Sequence, residues 1–275
     1  MVVIEFPSSK DLYYIEQGED QPVIFIHGTL DDFRAWHLQI DQFAAKYHVV
    51  SYSRRYAYPN QWPGSGDDNS ITNNAADLVD LIIKKLHLAP AHLIGHSYGA
   101  FTALYAVYQH PEIVRTLVLG EPPIHSLLES NPKFVKMSRE IRENVYKRAQ
   151  EALSQGQTEE ALRIFIDGVM SKEGFFNELP SQARSTMIEN AKSLSEGSFI
   201  TQPFACGDAS RIMTPTLLVK GELSPKFLHH ILDMLARCIP NNEQVTIPGE
   251  SHDLGRLTKP KLFNEKVIEF ISKYA

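Results

Sequence analysis

Gly95-His96-Ser97-Tyr98-Gly99 places a serine between two glycines where an apolar run, His92 to Gly95, gives way to a small-residue helical pattern, Ala100 to Tyr108. A serine on a sharp strand-to-helix turn needs glycines two positions before and after it, because neighbouring backbone has to approach closely. The helix that follows adds the positive end of its dipole. Such a serine is a candidate nucleophile for acyl transfer. In an ordinary glycine-containing turn the same pentapeptide would mean only an exposed hydroxyl.

A serine hydroxyl is a weak nucleophile at neutral pH and needs a base to take its proton. Among the 11 histidines, His252 stands out by position, in the loop Pro248-Gly249-Glu250-Ser251-His252 directly after the last apolar run. That loop and Ser97 would share the carboxyl edge of the sheet, where open α/β sheets build their sites. His27-Gly28-Thr29 follows another run, Val23 to Ile26, at the same edge. The backbone N–H groups of Thr29 and Tyr98 would then form the donor pair for a tetrahedral oxyanion. Taken alone, His27-Gly28 reads equally well as a strand end with His27 bonded to loop backbone.

These residues have to be positioned by the elements around them. Six apolar runs rich in β-branched residues, Val23 to His27, Tyr47 to Ser53, His92 to Gly95, Thr116 to Gly120, Thr216 to Lys220 and Gln244 to Pro248, alternate with longer helical patterns. That alternation predicts a mainly parallel sheet flanked by helices. Weaker runs at Val2 to Phe6 and Leu12 to Glu16, separated by Pro7-Ser8-Ser9-Lys10, suggest an antiparallel edge hairpin. Ala75 to Leu86 carries helical spacing with Asn73-Asn74 as candidate caps, and Pro111 ends the helix after Ser97. From about Ile124 to Ala205 the rhythm lapses into helical patterns such as Phe134 to Leu153 and Thr158 to Met170. The expected α/β architecture has eight strands, a core of residues 1–123 and 206–275, and a helical cap, 124–205, inserted between the sixth and seventh strands.

Composition bounds the partners. The chain has 275 residues, a net charge of −6 and 43% hydrophobic residues, which fits one soluble globular domain and argues against disorder or a disulfide scaffold. No basic stripe supports nucleic-acid binding. Cys206 and Cys238 stand alone, without CxxC or ligand-spaced histidines, so they read as buried thiols and neither a metal nor a cofactor is expected. The start, Met-Val-Val-Ile-Glu-Phe, lacks a leader pattern, and no apolar stretch nears membrane-spanning length. The expectation is a cytoplasmic protein with a small-molecule acyl substrate and no membrane partner; oligomeric state is not set by the sequence.

On His27-Gly28-Thr29, Gly95 to Gly99 and His252, taken in that order, the chain resembles the α/β-hydrolase superfamily over about residues 22 to 275, in its serine-nucleophile branch with a helical cap. The resemblance implies Ser97 as nucleophile, His252 as general base and then acid, and the Thr29 and Tyr98 amides as oxyanion hole. It also implies an acid in the turn after the penultimate strand, in a pattern like Gly-x-x-Asp. Here that turn reads Gly221-Glu222-Leu223-Ser224-Pro225, and Ser224 stands where the carboxylate is expected. A serine cannot stabilise an imidazolium as a carboxylate does.

Two replacements are open. Glu121, in Leu119-Gly120-Glu121-Pro122-Pro123, follows the preceding strand, a location that some branches use for the acid, part of the haloalkane dehalogenases among them. Glu222 lies in the usual loop two positions early, and Asp253 adjoins His252 but would point away. Glu121 is the favoured acid; a site without an acid is the third possibility. Ser97 in place of the aspartate of dehalogenases and epoxide hydrolases argues against an alkyl-enzyme route.

The implied activity is hydrolysis of a small carboxylic ester, thioester or related acyl compound. The same residues could serve carbon–carbon bond hydrolysis or cofactor-free perhydrolysis, and a weakly catalytic ligand-binding protein would leave both Glu121 and Glu222 out of reach of His252. In Ser53-Arg54-Arg55-Tyr56, the arginines could meet a substrate carboxylate or, the favoured reading, form structural ion pairs. Trp36, Trp62, Phe33 and the Tyr98 ring could line a pocket, although such aromatics more often belong to the core.

Overall fold

A computed structural model describes residues 2–4, 11–199 and 202–275. Eight strands form one sheet: β1 (Val2–Ile4), β2 (Tyr14–Gln17), β3 (Pro22–Ile26), β4 (His48–Tyr52), β5 (Ala91–His96), β6 (Val114–Gly120), β7 (Thr216–Gly221) and β8 (Asn242–Ile247). Their spatial order is β1-β2-β4-β3-β5-β6-β7-β8. β1 pairs with β2, and β2 with β4, in antiparallel register, while every pair from β4 to β8 is parallel. The edge hairpin expected from the sequence is present as far as it is described; Phe6 and the turn Pro7 to Lys10 lie outside the described residues.

Alternation along each strand sends side chains to two cores. In β3, Val23 and Phe25 join Trp36, Phe43 and Val267 on one face, whereas Ile24 and Ile26 join Leu78, Leu104 and Leu235 on the other. All six residues of β5 are buried, which is why its sequence reads as a continuous run without polar alternation.

Helices α1 (His37–Ala44), α2 (Ile71–Asp80) and α3 (Tyr98–Gln109) belong to the first half of the sheet. The cap of α2 is not Asn73-Asn74. Ser70 accepts a hydrogen bond from the Asn73 N–H, so both asparagines sit inside the helix. The Asn74 carboxamide is instead used in the interior, accepting from Arg54 and donating to Asn69.

Between β6 and β7 the described residues form helices and no strand: α4 (His125–Glu129), α5 (Val135–Ile141), α6 (Arg148–Ser154), α7 (Thr158–Met170), α8 (Phe175–Glu178), α9 (Ser181–Glu189) and α10 (Cys206–Ala209). A π-helical stretch, Arg142–Lys147, joins α5 to α6. Val145, Leu162, Phe165 and Leu194 pack a small core of their own, closed by Leu30 from the loop after β3. The chain finishes with α11 (Lys226–Cys238) and α12 (Pro260–Ile271).

The cysteines depart from expectation. Cys206 and Cys238 are joined in a disulfide with Cα atoms 5.2 Å apart, and Cys206 is exposed. A bond spanning 32 positions between α10 and the end of α11 leaves no trace in local sequence. Among the described residues, no helix is long and apolar enough to cross a membrane.

Candidate active site

Ser97 sits at the junction of β5 and α3 with φ 52° and ψ −124°, a backbone conformation that costs a non-glycine residue roughly 1–3 kcal/mol. Its N–H donates to the Gly120 carbonyl at 2.7 Å, anchoring the turn to β6. The flanking glycines are demanded by space. A Cβ on Gly99 would lie 2.3 Å from the Ile26 carbonyl oxygen, and one on Gly95 would lie 2.6 Å from that of Gly99. A Cβ on Gly28 would come within 3.2 Å of the Ser97 Cβ, so the His27-Gly28-Thr29 loop lies directly against the serine.

Glu121 meets His252. Its Oε2 accepts a hydrogen bond from His252 Nδ1 at 2.7 Å, and its Oε1 accepts from the Gly221 N–H at 2.9 Å. An ionised carboxylate only accepts, so Nδ1 carries the proton and Nε2 keeps the lone pair a base needs. Glu121 is fully buried, and its φ of 49° turns the chain out of β6. The other acidic candidates are engaged elsewhere. Glu222 is exposed and accepts from the Gly249 N–H at 2.7 Å, and Asp253 binds Arg256 and the Leu257 N–H. Ser224 is buried, and its hydroxyl finds no hydrogen-bond partner among the described residues.

His27 and the arginine pair are scaffolding. His27 Nδ1 donates to the Gly28 carbonyl at 2.8 Å, and its Nε2 accepts from the Arg54 N–H at 2.9 Å. Burial, with Arg54 adding to it, pushes its pKa down to about 3, so the ring stays neutral. Arg54 is itself buried and donates to the His27 and Gly28 carbonyls and to Asn74. Arg55 pairs with Asp77 and Asp68. Arg55 thus forms the structural ion pairs that were expected, whereas Arg54 makes none and braces the loop before Thr29 through its carbonyls; neither arginine lines the cavity.

Gly28, Thr29, Ser97, Tyr98 and His252 line a single cavity of about 750 Å³, a size suited to a small organic molecule. Its far wall is apolar and comes from the helical segment, with Phe165, Val169, Met187 and Phe199; its near rim holds Asp31, Asp253 and Arg256. Phe33, Trp36 and Trp62 are not part of this lining. Trp36 is fully buried against Phe25 at 4.7 Å, Phe33 packs on Tyr13, and Trp62 lies under Arg55. Tyr98 does reach the cavity, and burial raises the pKa of its phenol, which donates to the Asn69 carbonyl.

His96 is a site residue that the motif Gly95 to Gly99 contains but does not single out. Its Nε2 donates to the His252 carbonyl at 2.6 Å, and the two rings lie 4.7 Å apart. Burial first, and then Arg256 and His252, hold its pKa well below the ordinary histidine value. A neutral ring can therefore abut His252 without opposing a proton there. Its place between Gly95 and Ser97 was the available signal.

The sequence profile described as alpha/beta hydrolase fold matches residues 21–255. The chain is 26% identical over 276 aligned positions to (E)-2-((N-methylformamido)methylene)succinate hydrolase of Acinetobacter baylyi, covering 95% of this chain and 94% of that one. It is 24% identical to 2-(acetamidomethylene)succinate hydrolase of Mesorhizobium japonicum, over 93% and 90% of the two chains. The solved structure of a hydrolase from Pseudomonas aeruginosa superposes with a TM-score of 0.77 at 16% identity, covering 98% of both.

Proposed function

The chain belongs to the α/β-hydrolase fold family, and from that premise we propose that it is a serine hydrolase cleaving a small carboxylic ester, thioester or related acyl compound through an acyl-enzyme on Ser97. The observation that carries this reading is the 2.7 Å contact between Glu121 and His252 at the wall of the cavity that Ser97 lines. A nucleophile, a base with its tautomer fixed and a buried carboxylate behind it are the parts that acyl transfer needs.

His252 Nε2 takes the Ser97 proton as Oγ attacks the acyl carbon. The Thr29 and Tyr98 amides hold the oxyanion while the proton passes to the leaving group. Water then attacks the acyl-serine with His252 again as base, releasing the acid and restoring Ser97. Residues 1–123 and 206–275 act as the catalytic core, and 124–205 act as a cap whose apolar wall receives the organic part of the substrate. The relatives' names denote hydrolysis of amide-bearing succinates, which keeps amides within the substrate range to be screened. The rival binding-protein reading required both acidic candidates to miss His252, and Glu121 does not.

The test is labelling by a fluorophosphonate probe beside Ser97→Ala and His252→Ala, followed by turnover of short p-nitrophenyl esters. Labelling and turnover lost in both variants support the reading. A wild-type protein that neither labels nor turns over any short ester overturns it. We place the protein in the cytoplasm on the sequence reading; recovery of Cys206 and Cys238 in oxidised form from rapidly alkylated cells would point to an oxidising compartment instead.

A further inference from the structure

The charges around the cavity are not evenly spent. Arg34 is paired with Asp32 at 2.6 Å and with Glu189, Arg142 with Glu129 at 3.0 Å, and Arg256 with Asp253 at 3.0 Å. The remaining Arg256 nitrogen, Nη1, is buried and has no hydrogen-bond partner among the described residues. Asp253 is further satisfied by the Leu257 N–H at 2.9 Å. Asp31 is different: among the described residues its carboxyl has no hydrogen bond and no ion pair, yet it lines the same cavity as Ser97 and His252. It stands two positions after Thr29 on the loop that abuts Ser97.

Its neighbour shows what a structural aspartate looks like in this loop. Asp32 is fully buried, accepts from the Arg34 backbone and side chain, and takes a further bond from Asn190. Asp31 receives none of this. Burial pushes its pKa up to about 6, and nearby Asp32 and Asp253 push the same way, against Arg256 and Arg54. The arginines that line the cavity are each in contact with another carboxylate, and Arg256 and Arg54 act on Asp31 without pairing with it, so Asp31 presents a carboxyl with no contact partner to a ligand.

We propose that Asp31 is a specificity-determining residue that selects acyl substrates carrying an ammonium group, seated against its carboxylate while the apolar part lies along Phe165, Val169 and Phe199. The inference rests on the hydrolase reading and narrows it. An ammonium at this rim supplies the direct contact partner that the Asp31 carboxylate lacks, and a substrate carboxylate in the same place meets a like charge at contact distance. This chain therefore differs in preferred substrate charge from its relatives named for succinate derivatives.

The test uses three inhibitors of one shape, n-pentylammonium, n-pentanol and hexanoate, competing at pH 8 against turnover of a short neutral ester by the intact protein. The expected inhibition constant for the ammonium is at least tenfold below that of the alcohol, with the carboxylate weakest. A folded Asp31→Asn variant, checked by its melting temperature, loses the ammonium advantage, and Asp31→Glu retains most of it. Equal inhibition by all three, a preference for the carboxylate, or an ammonium advantage that survives in Asp31→Asn overturns the proposal. Should the wild type show no ester turnover, the hydrolase reading fails by itself. Ammonium binding is then read by calorimetry on wild type and Asp31→Asn, where binding lost with the carboxylate supports the site and equal or absent binding overturns it.

Discussion

Glu121 reaches His252 from the end of β6 and spans the gap to β7 as well, one oxygen on the imidazole and the other on the Gly221 N–H. The carboxylate is thereby fixed at both ends, and the turn after β7 is left with a buried serine, Ser224, close enough that a Cβ on Gly221 would lie 2.7 Å from its hydroxyl. Glu121→Gln keeps the shape but offers an amide in place of the charge, and kcat is expected to fall about 10²- to 10⁴-fold with KM little changed. Moving the acid provides the sharper check. Glu121→Ala combined with Ser224→Asp should recover at least about tenfold over Glu121→Ala alone, since the turn after β7 adjoins the Glu121 carboxylate through the Gly221 N–H. No recovery in a folded double variant would mean that only the β6 turn can supply the acid.

His96 holds the backbone of His252 and packs its ring on the imidazole. Losing the N–H donor but keeping an aromatic face, as in His96→Phe, should lower kcat about tenfold, the worth of one buried hydrogen bond, while KM moves less than about threefold. His96→Gln retains a donor and should restore part of the loss. A purely structural role predicts instead a lowered melting temperature with kcat intact in the fraction that remains folded.

The elbow, the histidine loop and the parallel strands were legible because each depends on local pattern: glycines that admit backbone at 2.3 and 2.6 Å, and strands such as β5 buried on both faces. The choice of acid favoured Glu121 but stayed open to Glu222 and to no acid at all, because reach across two strands depends on side-chain direction and not on spacing. Asp31 and His96 carry no periodicity, and only the cavity and the hydrogen-bond partners single them out. The Ser70 cap was missed because Asn73-Asn74 offered the same chemistry one turn later, and tertiary use of Asn74 decided between them.

Four buried histidines set the response to acid. Burial lowers the pKa of His27 to about 3, of His92 and His125 to about 4, and of His96 well below its usual value. The unfolded chain takes up protons near pH 6.5 while the folded chain does not, so stability is complete above that pH and is lost as pH falls toward 4. Within the window each histidine contributes about 1.4 kcal/mol per pH unit. Asp31 acts oppositely: with its folded pKa raised to about 6, it favours the folded state below its ordinary value of 3.8 and loses that effect as pH rises through 6. Urea titrations at half-unit steps from pH 7.5 to 4 should show stability falling steeply below 6.5, and Asp31→Asn should make the fall steeper. A flat profile across that range would contradict the burial of these rings.

The Cys206–Cys238 bond closes the chain from α10 to the end of α11, with a sequence separation of 32. In the loop-entropy description a ring of that size stabilises by about 3–4 kcal/mol, by restricting the unfolded chain. Reduction should therefore lower the melting temperature by about 5–7 °C, with no loss of ester turnover at 25 °C, because neither cysteine lines the cavity. Cys206→Ser/Cys238→Ala should reproduce the shift and become indifferent to reductant. Intact mass after alkylation of unreduced, denatured protein reads the bond directly: two added labels would show free thiols, whereas none, together with a reductant-sensitive melt, fixes the disulfide as the tie between α10 and the end of α11.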